Sequence, residues 1–199
     1  MTPRMAVLLA LLPMVLLLFA AVRQDVRHHR IPNTVVFWGA GLGILLNIFM
    51  PEGMGFAANQ LPGGAGFLSA MEGWAIGLAA LLPMYLLRVM GAGDVKLMAM
   101  VGAFLGYEDA FGAVLSTFIA GGALSVGYAW KIGALQRTLQ NIRFVLYSGA
   151  VKIASGSVPT LQDAPETAGK FPYAVAIAVG TLGYLAWKSM WKSGWGWLV

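Results

Sequence analysis

The chain has no cysteine. That excludes a disulfide framework, a thiolate metal site and a cysteine nucleophile. Charge is also scarce: Asp, Glu, Lys and Arg make up 11% of the 199 residues, and only 8 of those are acidic. The two histidines, His28 and His29, are adjacent. On a helix, neighbours point in different directions and do not easily share a metal, so both read as solvated loop residues. No phosphate-binding loop is present. The stretch Gly91-Ala-Gly-Asp-Val-Lys96 lacks the G-x-x-x-x-G-K-[ST] spacing, and Leu97 follows Lys96. There is no internal repeat and no stretch with the composition of a soluble domain.

What is abundant is apolar. Hydrophobic residues form 59% of the chain, and the mean hydropathy is +0.75. Runs of nearly twenty apolar residues place the protein among integral membrane proteins. The net charge of +5 is not a nucleic-acid signature, because the basic residues fall between the apolar runs, as the positive-inside rule expects. The expected surroundings are membrane lipid, with no nucleic-acid partner.

Six apolar segments follow in order, at about 5–22, 35–50, 67–87, 95–107, 110–130 and 171–187. The first is expected to be a retained span and not a signal peptide. It is long, no clean A-x-A site follows it, and further apolar segments come after. Residues 23–30 form a dense basic turn. Pro32 suits the first turn of the next helix, and Asn33 and Thr34 are good residues for a helix start. Gly39, Gly41 and Gly43 permit close helix contact. Pro83 in the third segment is a tolerated kink. The fourth segment is short: at about 1.5 Å per residue it reaches about 20 Å against a hydrocarbon core of about 30 Å. Glu108 and Asp109 at one surface would then leave Asp94 somewhat below the other.

After the fifth segment, Ile132, Leu135, Leu139, Ile142 and Leu146 recur every three or four residues, with polar residues between them. That pattern predicts an amphipathic helix lying on the membrane. Residues 155–169 read as a polar loop, and Trp187, Trp191, Trp195 and Trp197 as an interfacial belt. Arg23, Arg27, Arg30, Arg88, Lys96, Lys131, Arg137, Arg143, Lys152 and Lys170 fall on one side of this layout, and only Arg4, Lys188 and Lys192 on the other. The asymmetry puts both termini outside and the basic side in the cytoplasm. The expected fold is therefore all-α. It is a single polytopic domain over 1–199, with six transmembrane helices and a cytoplasmic interfacial helix.

Two stretches carry the chemistry. Asp25-Val-Arg-His-His-Arg-Ile-Pro-Asn33 and Gly91-Ala-Gly-Asp-Val-Lys96 each set one carboxylate beside basic residues, at the end of an apolar segment and on the same predicted side. Carboxylates at a membrane edge are costly and point to function. Taken singly, Asp94 reads as a cap on the fourth segment, and Asp25 as a surface acid paired with Arg27 or Arg30. Gly91 and Gly93 would let the backbone turn tightly and let a peptide approach Asp94. Met84, Met90, Met98 and Met100 read as packing residues and not as a ligand set.

Together the two stretches resemble the type IV prepilin peptidase family, polytopic aspartic peptidases of the inner membrane. The family pattern sets an Asp at the end of the first helix, with Ile-Pro-Asn shortly after it. Asp25 and Ile31, Pro32 and Asn33 match. Its second motif, Gly-x-Gly-Asp-x-Lys, is matched by Gly91, Gly93, Asp94 and Lys96. A Pro-Tyr or Pro-Phe opening the last helix is a weaker feature, here Pro172-Tyr173. Gly-x-Gly-Asp alone is shared with presenilin-like proteases. The pair, with Ile-Pro-Asn between the first two spans, is more specific.

The resemblance implies that Asp25 and Asp94 form a catalytic pair and that the other motif residues bind substrate or hold the site. It implies a prepilin or pseudopilin precursor as substrate, cleaved after Gly at the end of a short basic leader. No cofactor or metal is implied. Larger members also N-methylate the new terminus and carry a cytoplasmic insert with paired Cys-x-x-Cys zinc ligands. This chain has neither insert nor cysteine, so it is similar to the short, cleavage-only type associated with Flp or tight-adherence pili. Archaeal preflagellin peptidases are also short. Two close carboxylates do not both ionise easily, so such a pair shares a proton and supplies one general base and one general acid. A proton-coupled transporter also uses intramembrane carboxylates and glycine-broken helices, but the motif pair favours a peptidase.

Overall fold

The computed structural model describes residues 3–49, 66–86, 90–133 and 172–195, together with Gln136 and Gln140. Among these residues every regular element is helical: α1 Pro3–His28, α2 Asn33–Phe49, α3 Gly66–Leu86, α4 Ala92–Lys131 and α5 Tyr173–Trp195. The amphipathic helix expected after Lys131 and the polar loop at 155–169 lie largely outside the described residues.

α1 runs further than its apolar segment. Arg23, Gln24 and Arg27 favour helix, and Arg27 and His28 in the last turn complement the negative end of the helix dipole. Asp25 therefore stands on a helix, not in a turn. The helix ends where His29 takes a φ of 50° and its N–H donates to the Asp25 carbonyl at 2.8 Å, a left-handed stop with Pro32 soon after. α3 keeps Pro83 inside its span. α5 continues past Trp187 to Trp195.

α4 is two helices in one. Gly106, with φ 77° and ψ 177°, interrupts it, a conformation that a residue with a Cβ resists. Beyond Gly106 the chain doubles back, because the Thr117 hydroxyl donates to the Met98 sulfur at 3.9 Å. In a straight helix those residues would stand about 28 Å apart. The fourth and fifth apolar segments are thus the two legs of a hairpin, residues 92–105 and 107–131. The expected break near Glu108 and Asp109 falls instead at the glycine two residues earlier.

Such a break orphans the last carbonyls of one leg and the first N–H groups of the next. Neighbouring helices satisfy three of them. Asn47 of α2 donates its side-chain N–H to the carbonyls of Ala103 at 2.8 Å and Phe104 at 3.3 Å. The Tyr107 N–H donates to the Ser69 hydroxyl of α3 at 3.2 Å.

The first leg is the centre of the molecule: every residue from Leu97 to Gly106 is buried. A helix apolar all round is buried on all sides, and here α2, α3 and the second leg enclose it. α3 comes closest. A Cβ on Gly102 would sit 2.0 Å from the Gly73 carbonyl oxygen, so these two backbones touch. Gly39 and Gly43 of α2 also lie tight against Met100 and Phe104, whereas a Cβ on Gly41 would meet nothing within 4 Å. Met98 and Met100 are fully buried in the core, with Leu18, Leu81, Phe104 and Ile177. The outer surface is rich in large apolar side chains, among them Leu16, Phe19, Trp38, Phe67, Phe111, Ile119 and Trp187. α3 and α4 are long and apolar enough to cross a membrane, by length and composition.

Candidate active site

The ends of α1, α4 and α5 meet. In the polar stretch 23–30, Asp25 is the one buried residue, at 7% exposure, while Arg23, Arg27, His28, His29 and Arg30 are exposed. It is buried against the start of α5, where its Oδ2 accepts the Ala174 N–H at 3.1 Å. That N–H belongs to the first turn of α5, which has no intrahelical acceptor, and it lies at the positive end of the helix dipole. Asp25 thus supplies from another helix what a local capping side chain would supply.

Asp94 is the third residue of α4 and is 8% exposed. Its own N–H donates to the Gly91 carbonyl at 3.2 Å, and its Oδ2 accepts the Gly91 N–H at 3.1 Å. This reciprocal pair closes the helix start in the manner of a capping box. The capping reading of Asp94 is therefore right as local structure. It engages Oδ2 and leaves the other oxygen for further chemistry.

The two carboxylates stand at the same end of the bundle. Asp25 and Asp94 lie close enough for their charges to interact, and Tyr173 stands near enough to Asp94 to feel that charge as well. Around them the two sequence motifs touch. A Cβ on Gly93 would be 3.1 Å from the Ile31 Cβ, so the α1–α2 connection packs on the first turn of α4 where that turn has no side chain. The Lys96 ammonium donates to the Asn33 side-chain carbonyl at 3.0 Å and stands 5.6 Å from the centre of the Phe37 ring. Ile31, Asn33, Gly93 and Lys96 therefore tie the start of α2 to the start of α4, with Pro32 between the first two and Gly91 capping the same turn. Among the described residues, no group of three or more His, Asp or Glu side chains is placed to hold a metal ion.

Two features escaped sequence reasoning. The Ala174 N–H is a backbone donor with no residue-type signature; the available signal was Pro172-Tyr173 as a helix start. The other lies beyond the Gly106 turn. There Asp109, 1% exposed, forms an ion pair with Lys188 and accepts the Tyr184 hydroxyl at 2.6 Å. The sequence placed Asp109 and Lys188 on one side of the membrane, but their pairing depends on how α5 packs against α4.

Two buried carboxylates from different helices, with exposed cations around them, can share a proton and activate a water between them. Comparison with known proteins bears on that chemistry. No curated protein and no solved structure matches the chain. The model of the type IV leader peptidase family matches residues 11–126, which is more than half of the chain. That span holds both carboxylates, Ile31-Pro32-Asn33 and the Gly106 turn, and ends before α5 begins. With its apolar helices and these paired motifs, the chain belongs to the type IV leader peptidase family.

Proposed function

We propose that this protein is an aspartic prepilin leader peptidase, with Asp25 and Asp94 as its catalytic dyad. The observation that carries the reading is that the stretches bearing these two carboxylates, 69 positions apart in sequence, meet at one end of the bundle, where Ile31 packs on Gly93 and Lys96 bonds Asn33. Family membership supports a peptidase acting on a precursor.

The reaction follows from the pair. One carboxylate takes a proton from a water as its oxygen attacks the scissile carbonyl. The other donates a proton to the amide nitrogen as the C–N bond breaks. The products are a leader ending in a carboxylic acid and a mature chain with a free amine. The shared proton returns the dyad to its starting state after one turnover. Asp25 is held by the Ala174 N–H and Asp94 by the Gly91 N–H, so each enters the reaction already oriented.

The substrate class is a type IV pilin-like precursor with a short basic leader ending in Gly and a hydrophobic helix behind it. The protein is a multi-pass protein of the inner membrane, with the dyad on the cytoplasmic side, where the basic residues concentrate. The substrate's helix lies in the bilayer while its leader meets the dyad at the surface. Cleavage is not followed by methylation, since the chain has no cysteine for the zinc-binding insert. The test is incubation of purified protein with a prepilin and, separately, with a generic membrane peptide. Cleavage of the prepilin alone after its leader Gly is expected. Cleavage of both would indicate a broad intramembrane protease, and cleavage of neither would remove the peptidase reading.

A further inference from the structure

α5 touches the dyad at one end and a buried ion pair at the other. At its start the Ala174 N–H is bonded to Asp25. Lys188 lies 14 residues further on, about 21 Å along a helix. There Asp109 accepts from both Lys188 and Tyr184. The Lys188 ammonium also stands 5.9 Å from the centre of the Tyr184 ring. Asp109 belongs to the second leg of α4, just past the Gly106 turn, and is almost wholly buried. A carboxylate buried that deeply strongly favours the one arrangement that keeps its partners, because losing them leaves an uncompensated charge.

The surface between these two ends is close-fitting. A Cβ on Gly180 would lie 2.4 Å from the Thr117 Cα, and one on Gly112 would lie 2.3 Å from the Tyr184 ring. α5 therefore packs backbone against backbone on the second leg. Such a fit allows sliding along the helix axis only if the ion pair and the ring contact are given up together. A helix is stiff along its axis, so fixing Lys188 fixes the height of Ala174.

We propose that Asp109, Tyr184 and Lys188 are positioning residues for the peptidase reaction: they set the axial register of α5 and so hold the Ala174 N–H on Asp25. The proposal rests on the function given above, but half of its test does not. The clamp touches neither the dyad nor the surface where a leader would bind, so it acts on turnover and not on substrate affinity.

The test uses the full-length protein in lipid, with two readouts. One is kcat and KM for prepilin cleavage. The other is backbone hydrogen exchange over residues 172–178, far from the altered side chain. Lys188→Met is expected to lower kcat about tenfold with KM unchanged, the effect of loosening a bond to one reacting group. It is also expected to speed exchange at 172–178 by about tenfold or more while α3 stays protected, since local opening is read segment by segment. Lys188→Arg keeps the charge and should restore both. If Lys188→Met does not fold, Tyr184→Phe removes one hydrogen bond to the same carboxylate and should shift both readouts in the same direction.

Unchanged exchange at 172–178 in a folded clamp variant would overturn the proposal and leave the peptidase reading intact. Faster exchange with unchanged kcat would equally overturn the positioning role. If the unaltered protein cleaves no prepilin, the peptidase reading fails, and the exchange measurement alone decides whether the clamp holds the start of α5.

Discussion

Asp25 and Ala174 stand 149 positions apart in sequence, yet the carboxylate of one accepts the backbone N–H of the other at 3.1 Å. The first helix thereby caps the last. The bond gives Asp25 a fixed orientation and puts the start of α5, with Tyr173, beside Asp94. The site thus depends on a helix that lies outside the span matched by the family.

This dependence can be checked at Ala174 itself. Ala174→Pro removes the N–H, and because Ala174 is fully buried the added ring also costs packing; Ala174→Val adds similar bulk but keeps the N–H. Cleavage should fall by about tenfold or more in Ala174→Pro relative to Ala174→Val. Equal activity in the two variants would show that the bond does not serve the dyad.

The packing account makes its own prediction. Gly102→Val places a branched side chain where the Gly73 carbonyl oxygen would be 2.0 Å from the new Cβ. Overpacking of this kind costs about 1–3 kcal/mol or more, and the thermal midpoint in detergent should fall accordingly. Gly41→Val, where nothing lies within 4 Å, should leave the midpoint nearly unchanged. Equal effects at the two positions would contradict the close approach of α3 to the first leg of α4.

Much of this arrangement was legible before the structure, and for physical reasons. Apolar runs mark helices plainly when lipid is the solvent, and the two Asp motifs stand out because charge is so scarce. Boundaries were less legible. From composition alone Asp25 belongs to a basic turn, since charge commonly ends an apolar helix, whereas Arg23, Gln24 and Arg27 prolong it. Polarity alone separates the hairpin into two segments near Glu108 and Asp109; the break lies at Gly106, where the backbone conformation and not polarity decides. The Asp109–Lys188 pair joins positions 79 apart, and no local pattern reports which faces of two helices will meet.

Topology is open to labelling, since a chain without cysteine accepts single cysteines freely. Ser157→Cys should react with a membrane-impermeant thiol reagent only from the cytoplasmic side, and Gly53→Cys only from outside. The reverse pattern would invert the proposed orientation and put the dyad on the wrong face for a cytoplasmic leader.

Methylation is a separate matter. With prepilin and S-adenosylmethionine present together, the mature product should carry a free amino terminus in its mass spectrum. A gain of one methyl group would show that a chain without the zinc-binding insert can still methylate.

The central claim is that Asp25 and Asp94 act as one unit, and the direct measurement is cleavage by Asp25→Asn, Asp94→Asn and the double variant. Asparagine keeps the size of aspartate and can still accept the Ala174 and Gly91 N–H groups, but it cannot take up a proton from water. Each single variant should remain folded and inserted while losing essentially all cleavage, and the double variant should be no worse than either. Substantial cleavage by either folded single variant would contradict the dyad.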